Sequence, residues 1–95
     1  MSTANEALLL ASKEGDVDAV KSAIASGADV NTLDGEGATA LMRAAGRNFF
    51  EIAKVLIDNG ADVNIVNTWD YSALRYAEKV NFKEMAQFLR DAGAT

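Results

Sequence analysis

The chain has 95 residues, a net charge of −5, no Cys and no His. Without Cys it can form no disulfide, zinc–thiolate site or thiol nucleophile, and without His it lacks the commonest general base at neutral pH. The negative charge argues against binding to phosphate backbones, and no apolar run approaches transmembrane length. We therefore expect one domain spanning residues 1–95 in a reducing, cytoplasmic location, with no cofactor and with neither nucleic acid nor membrane as a partner.

A unit of 33 residues repeats along the chain. The sequence GADVN occurs at Gly27–Asn31 and again at Gly60–Asn64. The same interval relates further sets of residues, which are Leu8, Leu41 and Leu74; Ala11, Ala44 and Ala77; Gly15, Asn48 and Asn81; and Gly27, Gly60 and Gly93. Because several independent positions share one period, we expect three copies of one unit, at about 1–31, 32–64 and 65–95.

Each copy predicts two short helices followed by an extended or hairpin loop. Thr39 and Ser72 are placed to cap the first helices of the second and third copies, because a hydroxyl can accept a hydrogen bond from an unpaired backbone N–H. The position shared by Gly15, Asn48 and Asn81 suits a left-handed turn between the helices, since Gly and Asn best tolerate positive φ. The second helices each end at a glycine, which is Gly27, Gly60 or Gly93. Such short helices need neighbouring copies to stabilise them.

These motifs resemble the ankyrin repeat over essentially the whole chain. Thr39–Ala44 reads TALMRA and Ser72–Ala77 reads SALRYA, where the family pattern is T-P-L-H-x-A, and Glu6–Ala11 is a divergent version. The chain lacks the Pro and the His of that pattern. The resemblance implies an all-α solenoid of three helix-turn-helix repeats joined by extended or hairpin loops. It also implies a non-catalytic, protein-binding role, through a concave face formed by the loop tips and the first helices.

The third copy carries charge where the second copy is apolar. Glu78 stands at the position of Ala45, and Arg90 stands at that of Ile57. Both charges would lie where a further repeat would pack, as expected of a terminal repeat. Ser12 holds the Ala45 position in the first copy. Ordinary sequence drift would explain these differences, but we favour an array of cap, middle and cap repeats.

The charges are segregated between loops and helices. The two complete loops contain acidic residues and no basic ones, whereas the first helices of the second and third copies carry Arg43, Arg47, Arg75 and Lys79. Arg43 and Arg47 are four residues apart, as are Arg75 and Lys79, so each of these pairs shares a helical face. Two explanations stay open. The basic residues either balance the acidic loops and the helix C-termini or are retained for a ligand.

Trp69 and Tyr71 carry the clearest functional signal. They stand at the positions of Glu36 and Ala38, so neither is needed to build a repeat, and Trp, Tyr and Arg are enriched at binding hot spots. With the face that the resemblance implies, the predicted binding residues are Leu33, Glu36, Arg43, Arg47, Val66, Thr68, Trp69, Tyr71, Tyr76 and Lys79. They favour a protein or peptide carrying acidic and apolar groups. The alternative is that Trp69 folds over the last repeat and covers its core.

Two other functions were weighed against this one. A self-associating or engineered scaffold without a specific natural ligand would join its exposed aromatic residues in a homodimer, although we expect a monomer. An enzyme or metal protein is disfavoured because the carboxylates are scattered and the DGEG segment, Asp34–Gly37, lacks the further ligands of a calcium loop. The remaining large side chains are expected in the core, and these are Phe49, Phe50, Phe82, Phe88, Met42 and Met85.

Overall fold

The computed structural model describes residues 3–95 as a stack of helix pairs. Residues 1 and 2, which belong to the expected first copy, lie outside this range. The helices are α1 (Thr3–Glu14), α2 (Val17–Ala25), α3 (Ala40–Gly46), α4 (Phe50–Asp58), α5 (Ala73–Lys79) and α6 (Lys83–Asp91). No strand occurs within residues 3–95. The all-α prediction of three helix-turn-helix units is confirmed.

The helices form two rows. Helices α1, α3 and α5 pack against one another in chain order, and each also packs against the second helix of its own pair. Helix α2 contacts α4, and Phe50 of α4 contacts Phe88 of α6 with ring centroids 4.8 Å apart. No helix of residues 3–95 is both long and apolar enough to cross a membrane.

The predicted local signals form as expected. The hydroxyls of Thr39 and Ser72 accept hydrogen bonds from the backbone N–H groups three residues later, both at 3.2 Å. Gly15, Asn48 and Asn81 have φ values of 84°, 60° and 62°, the left-handed conformation that lets the chain turn from the first helix into the second. The glycines that follow the second helices, Gly27, Gly60 and Gly93, are also left-handed. Local chemistry therefore defines both ends of the helix pair.

Side-chain amides link the loops of successive copies. The Asn31 Oδ1 atom accepts a hydrogen bond from the backbone N–H of Asp62 at 2.7 Å. The equivalent Asn64 accepts one from the backbone N–H of Thr95 at 3.1 Å. These bonds satisfy backbone donors that lie outside the helices, which explains the asparagine of the GADVN motif.

The core runs continuously between the two rows. Its largest fully buried apolar side chains are Leu8, Val20, Leu41, Ile52, Leu56, Met85 and Leu89. Met42 is also buried, and Phe49, Phe82 and Phe88 are partly buried against the core, as predicted. Phe50 was predicted wrongly, because 40% of its side chain is exposed. It is the first residue of α4, and its equivalent in the third copy is the exposed Lys83.

Ser12 was also interpreted wrongly as part of an outer surface. It is fully buried, as is the equivalent Ala45, whereas the equivalent Glu78 is exposed. This position lies on the side of the first helix that faces the next copy. In the first copy, Ser12 therefore packs against the second copy. The Ser12 hydroxyl has no hydrogen-bond partner among the described residues.

Glu78 and Arg90 are exposed at the end of the stack, and their capping role stays a prediction. Both side chains are about half exposed, and they form an ion pair at 2.7 Å across the end of the stack. Arg75 lies on the same surface, because it replaces the buried Met42 of the second copy. The spacing of Arg75 and Lys79 predicts only a basic helical face for Arg75. All three polar substitutions therefore lie where the next copy would pack.

We predict that Ser12→Ala stabilises the fold. The substitution removes a buried hydroxyl that lacks a partner and introduces the residue with the highest helix propensity, which together should raise the free energy of unfolding by about 1 kcal/mol. Urea denaturation followed by circular dichroism measures the change. The matched control is Ala45→Ser, which places the same hydroxyl at the equivalent position and should destabilise the fold. An unchanged or lower stability of Ser12→Ala would contradict the prediction.

Candidate functional site

The loop tip of the second copy is organised by one carboxylate. The Asp34 Oδ1 atom accepts hydrogen bonds from the backbone N–H groups of Glu36 and Ala38, at 2.9 and 3.0 Å. Its Oδ2 atom accepts from Nε and Nη2 of Arg43, at 3.2 and 2.5 Å. Gly37, with φ of 78°, completes the turn. One side chain therefore closes the loop and connects it to α3.

These contacts change the acidity of both partners. Partial burial by itself raises the pKa of Asp34, but the hydrogen bonds from Arg43, Ala38 and Glu36 outweigh it and hold the pKa below its ordinary value of 3.8. The hydrogen bond to Asp34 raises the pKa of Arg43 above its ordinary value. Both side chains are about one quarter exposed, so the pair is partly screened by water. For Arg43, the interpretation that helix cations balance the acidic loops is correct.

The third copy builds the same tip with different chemistry. Asn67 replaces Asp34, and its Oδ1 accepts hydrogen bonds from the backbone N–H groups of Trp69 and Tyr71, at 2.9 and 3.0 Å. Its Nδ2 donates to the hydroxyl of Tyr76 at 2.7 Å, and Tyr76 stands at the position of Arg43. An amide–phenol pair thus replaces the carboxylate–guanidinium pair, and the tip keeps its form without the charges.

Tyr71 lies at the centre of an aromatic and cationic cluster. Its ring meets that of Tyr76 edge to face, with centroids 5.2 Å apart. The Arg75 guanidinium lies 4.7 Å and the Lys79 ammonium 5.0 Å from the centroid of its ring. Lys79 also donates a hydrogen bond of 3.4 Å to the Tyr71 hydroxyl. This hydrogen bond and the charge of Lys79 hold the pKa of Tyr71 below its ordinary value of 10.0.

Four predicted binding residues line one groove, which we call the tyrosine groove. Trp69, Tyr71, Tyr76 and Lys79 enclose about 420 Å³. Trp69 is 60% exposed, so it does not cover the core of the last repeat. Its backbone N–H, and not its indole, contributes to the loop tip. The hydrogen bonds that form the tip therefore do not depend on this side chain.

A second groove lies between the first two copies, and we call it the leucine groove. It encloses about 340 Å³ and is lined by Leu9, Leu10, Lys13, Asp34, Gly35, Glu36 and Arg43. Leu10 is 56% exposed, and sequence analysis missed it. Its interval of 33 residues from Arg43 and 66 from Tyr76 was the signal that could have found it.

The other predicted residues lie apart from these grooves. Thr68 donates a hydrogen bond from its hydroxyl to the Glu36 carbonyl at 2.7 Å and so joins the two loop tips. Val66 is exposed and lines a groove at the end of the stack, together with Arg75. Leu33 and Arg47 are exposed and line neither the tyrosine groove nor the leucine groove.

Three stacked helix pairs with linked loop tips define a helical-repeat protein of the solenoid class. The family model described as ankyrin repeats (3 copies) matches residues 8–95. The chain therefore belongs to the ankyrin repeat family, whose members generally act as protein–protein interaction modules. No curated protein matches it in direct sequence comparison.

We predict that Asp34→Asn weakens the fold most clearly at neutral pH. Asn keeps an acceptor for Glu36 and Ala38 but loses the ion pair with Arg43, which should lower the free energy of unfolding by up to about 1 kcal/mol. Because the folded-state pKa of Asp34 is depressed, its contribution is present above the unfolded-state pKa and is lost as the pH falls through the folded value. The difference between wild type and variant should therefore shrink below about pH 4.

Denaturation midpoints measured from pH 7 to pH 3 check this prediction. The double variant Asp34→Asn, Arg43→Tyr is the matched control, because it recreates the Asn67–Tyr76 pair in the second copy. It should recover part of the lost stability and show no corresponding pH dependence. A constant difference between wild type and Asp34→Asn over this range would show that the ion pair contributes nothing.

Proposed function

We propose that the chain is a non-catalytic module that binds a partner protein or peptide through the face formed by its loop tips and first helices. The observation that carries this proposal is the tyrosine groove, in which the exposed Trp69 lies beside Tyr71, Tyr76 and Lys79. Large aromatic side chains that the fold does not use are typical of binding hot spots. The proposal includes one domain of three copies, at about 1–31, 32–64 and 65–95, in the cytoplasm.

The contacts in the tyrosine groove favour an acidic and apolar ligand over a cationic one. The Tyr71 ring already has Arg75 and Lys79 within cation–π distance, so a ligand ammonium would compete with two cations of the chain. Lys79 is exposed and can meet a carboxylate, while Trp69 offers apolar area. Arg43 contributes less to anion binding because Asp34 already neutralises it. A partner segment with an apolar side chain next to a carboxylate fits this groove best.

We expect Trp69→Ala to abolish most of the binding. The test uses peptides selected on wild-type protein from a random phage-displayed library, with affinities measured by fluorescence anisotropy. Truncating a hot-spot Trp typically costs about 2 kcal/mol or more, which corresponds to roughly thirtyfold in Kd. Circular dichroism confirms that each variant is folded.

Phe50→Ala is the matched control. It removes another exposed aromatic side chain, one that lies on α4 away from the loop tips. If most selected peptides bind Trp69→Ala as well as wild type, or are lost on Phe50→Ala instead, the face that we propose is wrong.

Trp69 also distinguishes this function from self-association. As the single Trp of the chain, it reports its own environment directly. We expect its emission to be red-shifted and readily quenched by acrylamide at every protein concentration, with a monomer mass from light scattering. Protection of Trp69 that increases as the mass doubles would favour the homodimer instead.

A further inference from the structure

The tyrosine and leucine grooves combine the same two kinds of side chain. Each combines a large exposed apolar side chain, Trp69 or Leu10, with an exposed lysine, Lys79 or Lys13. The two lysines are 66 residues apart and occupy equivalent positions in the first and third copies. The two lysines are thus two repeats apart, whereas their apolar neighbours are not equivalent, because Leu10 aligns with Tyr76 and Trp69 aligns with Glu36.

The equivalent position of the second copy carries no side chain. It is Gly46, the last residue of α3. A Cβ atom built there would have the side chain of Tyr76 as its nearest contact, at the ordinary van der Waals distance of 3.8 Å, so the backbone leaves room for a side chain to begin. The one cation that the second copy contributes to the leucine groove, Arg43, is paired with Asp34. The position equivalent to the two lysines therefore carries no charged side chain in the second copy, and the exposed Arg47 follows it directly.

The two grooves are not equally positive. The leucine groove contains Lys13 and Arg43 but also Asp34 and Glu36, so its charges cancel. The tyrosine groove contains Lys79 and no acid. A carboxylate should therefore bind more tightly at Lys79 than at Lys13, and Glu36 should oppose the weaker contact.

From this layout, and resting on the proposed function, we propose that both grooves bind one partner segment at two points, each point an apolar residue next to a carboxylate. Packed helices lie 8–10 Å apart, so two repeats separate the points by about 16–20 Å. The partner is thus an acidic segment with two such pairs at that separation. Binding at two linked points raises affinity without new contacts, provided that the spacing matches.

Polyproline peptides provide a ruler for this spacing. Polyproline II has three residues per turn and rises about 3.1 Å per residue, so offsets of six and three residues stay on one face and span about 19 and 9 Å. The probes are two fluorescent proline peptides of equal composition, each with two Leu-Glu pairs, offset by six residues or by three. We expect wild type to bind the six-residue offset at least about tenfold more tightly.

Single substitutions test each contact. Lys13→Gln and Lys79→Gln should each remove the preference for the six-residue offset, with the larger loss of affinity at Lys79. Glu36→Gln should tighten binding of the same peptide, because it removes the opposing charge. Lys21→Gln, which removes an exposed lysine of α2, is the matched control and should change neither affinity.

Gly46→Lys supplies a gain of function. It places a cation halfway between Lys13 and Lys79, so the peptide with the three-residue offset should gain affinity and the preference should shrink. A merely destabilised protein would not gain binding, so this variant separates recognition from folding.

The outcomes distinguish this inference from the proposed function. Equal binding of both peptides to wild type, or no effect of Lys13→Gln, would overturn the two-point arrangement. In that case a loss at Lys79→Gln and Trp69→Ala would still support the tyrosine groove alone. No binding of either peptide would also overturn the inference, whereas the proposed function fails only if the selected peptides ignore Trp69.

Discussion

Burial between successive repeats is the constraint on which the rest of this structure depends. Helices α2 to α6 have only seven or nine residues, too few to persist in water by themselves. Their stability comes from apolar side chains such as Leu41 and Leu56, which are buried between the two rows of helices. The loop tips have no strand to hold them and depend on the same stack, to which contacts such as that of Asp34 with Arg43 of α3 connect them. Any ligand surface on the tips is therefore only as ordered as the packing beneath it.

In each loop tip, the two terminal atoms of one side chain make different contacts. In both Asp34 and Asn67 the Oδ1 atom closes the turn, while the other terminal atom holds the residue nine positions later. Because Oδ1 makes the same turn-closing contacts in both residues, the second contact can change from a charged pair to a neutral one while the tip keeps its form. The outward residues Glu36 and Trp69 can then differ in charge and size on equivalent platforms. A rigid platform of this kind reduces the entropy lost when a partner binds.

Periodicity predicted most of the fold and the side of the first helix on which a further repeat would pack, but it did not show that the same position is buried in the first copy. Ser12 and Glu78 occupy equivalent positions, yet one is buried and the other exposed, because only the first has a copy packed over it. Phe50 looked like a core residue by type, but it begins α4 on the outside of the stack. Leu10 was missed because an apolar residue in a predicted helix looks like a core residue by type. Only its alignment with Arg43 and Tyr76 indicates a surface position.

The sequence by itself determined the repeat, its caps and its turns, because each depends on a residue and its near neighbours. A hydroxyl three residues before an N–H and a Gly or Asn in a left-handed turn act over a few ångströms of chain. Only the tertiary structure decided which side chains share a groove and which charges are neutralised. Leu10 lines a groove with Asp34 because stacking brings the first two copies together. Arg43 meets Asp34 and Lys79 meets Tyr71 within one copy, because each loop folds back on the helix that follows it. Charge and exposure at the proposed binding face are properties of the folded chain.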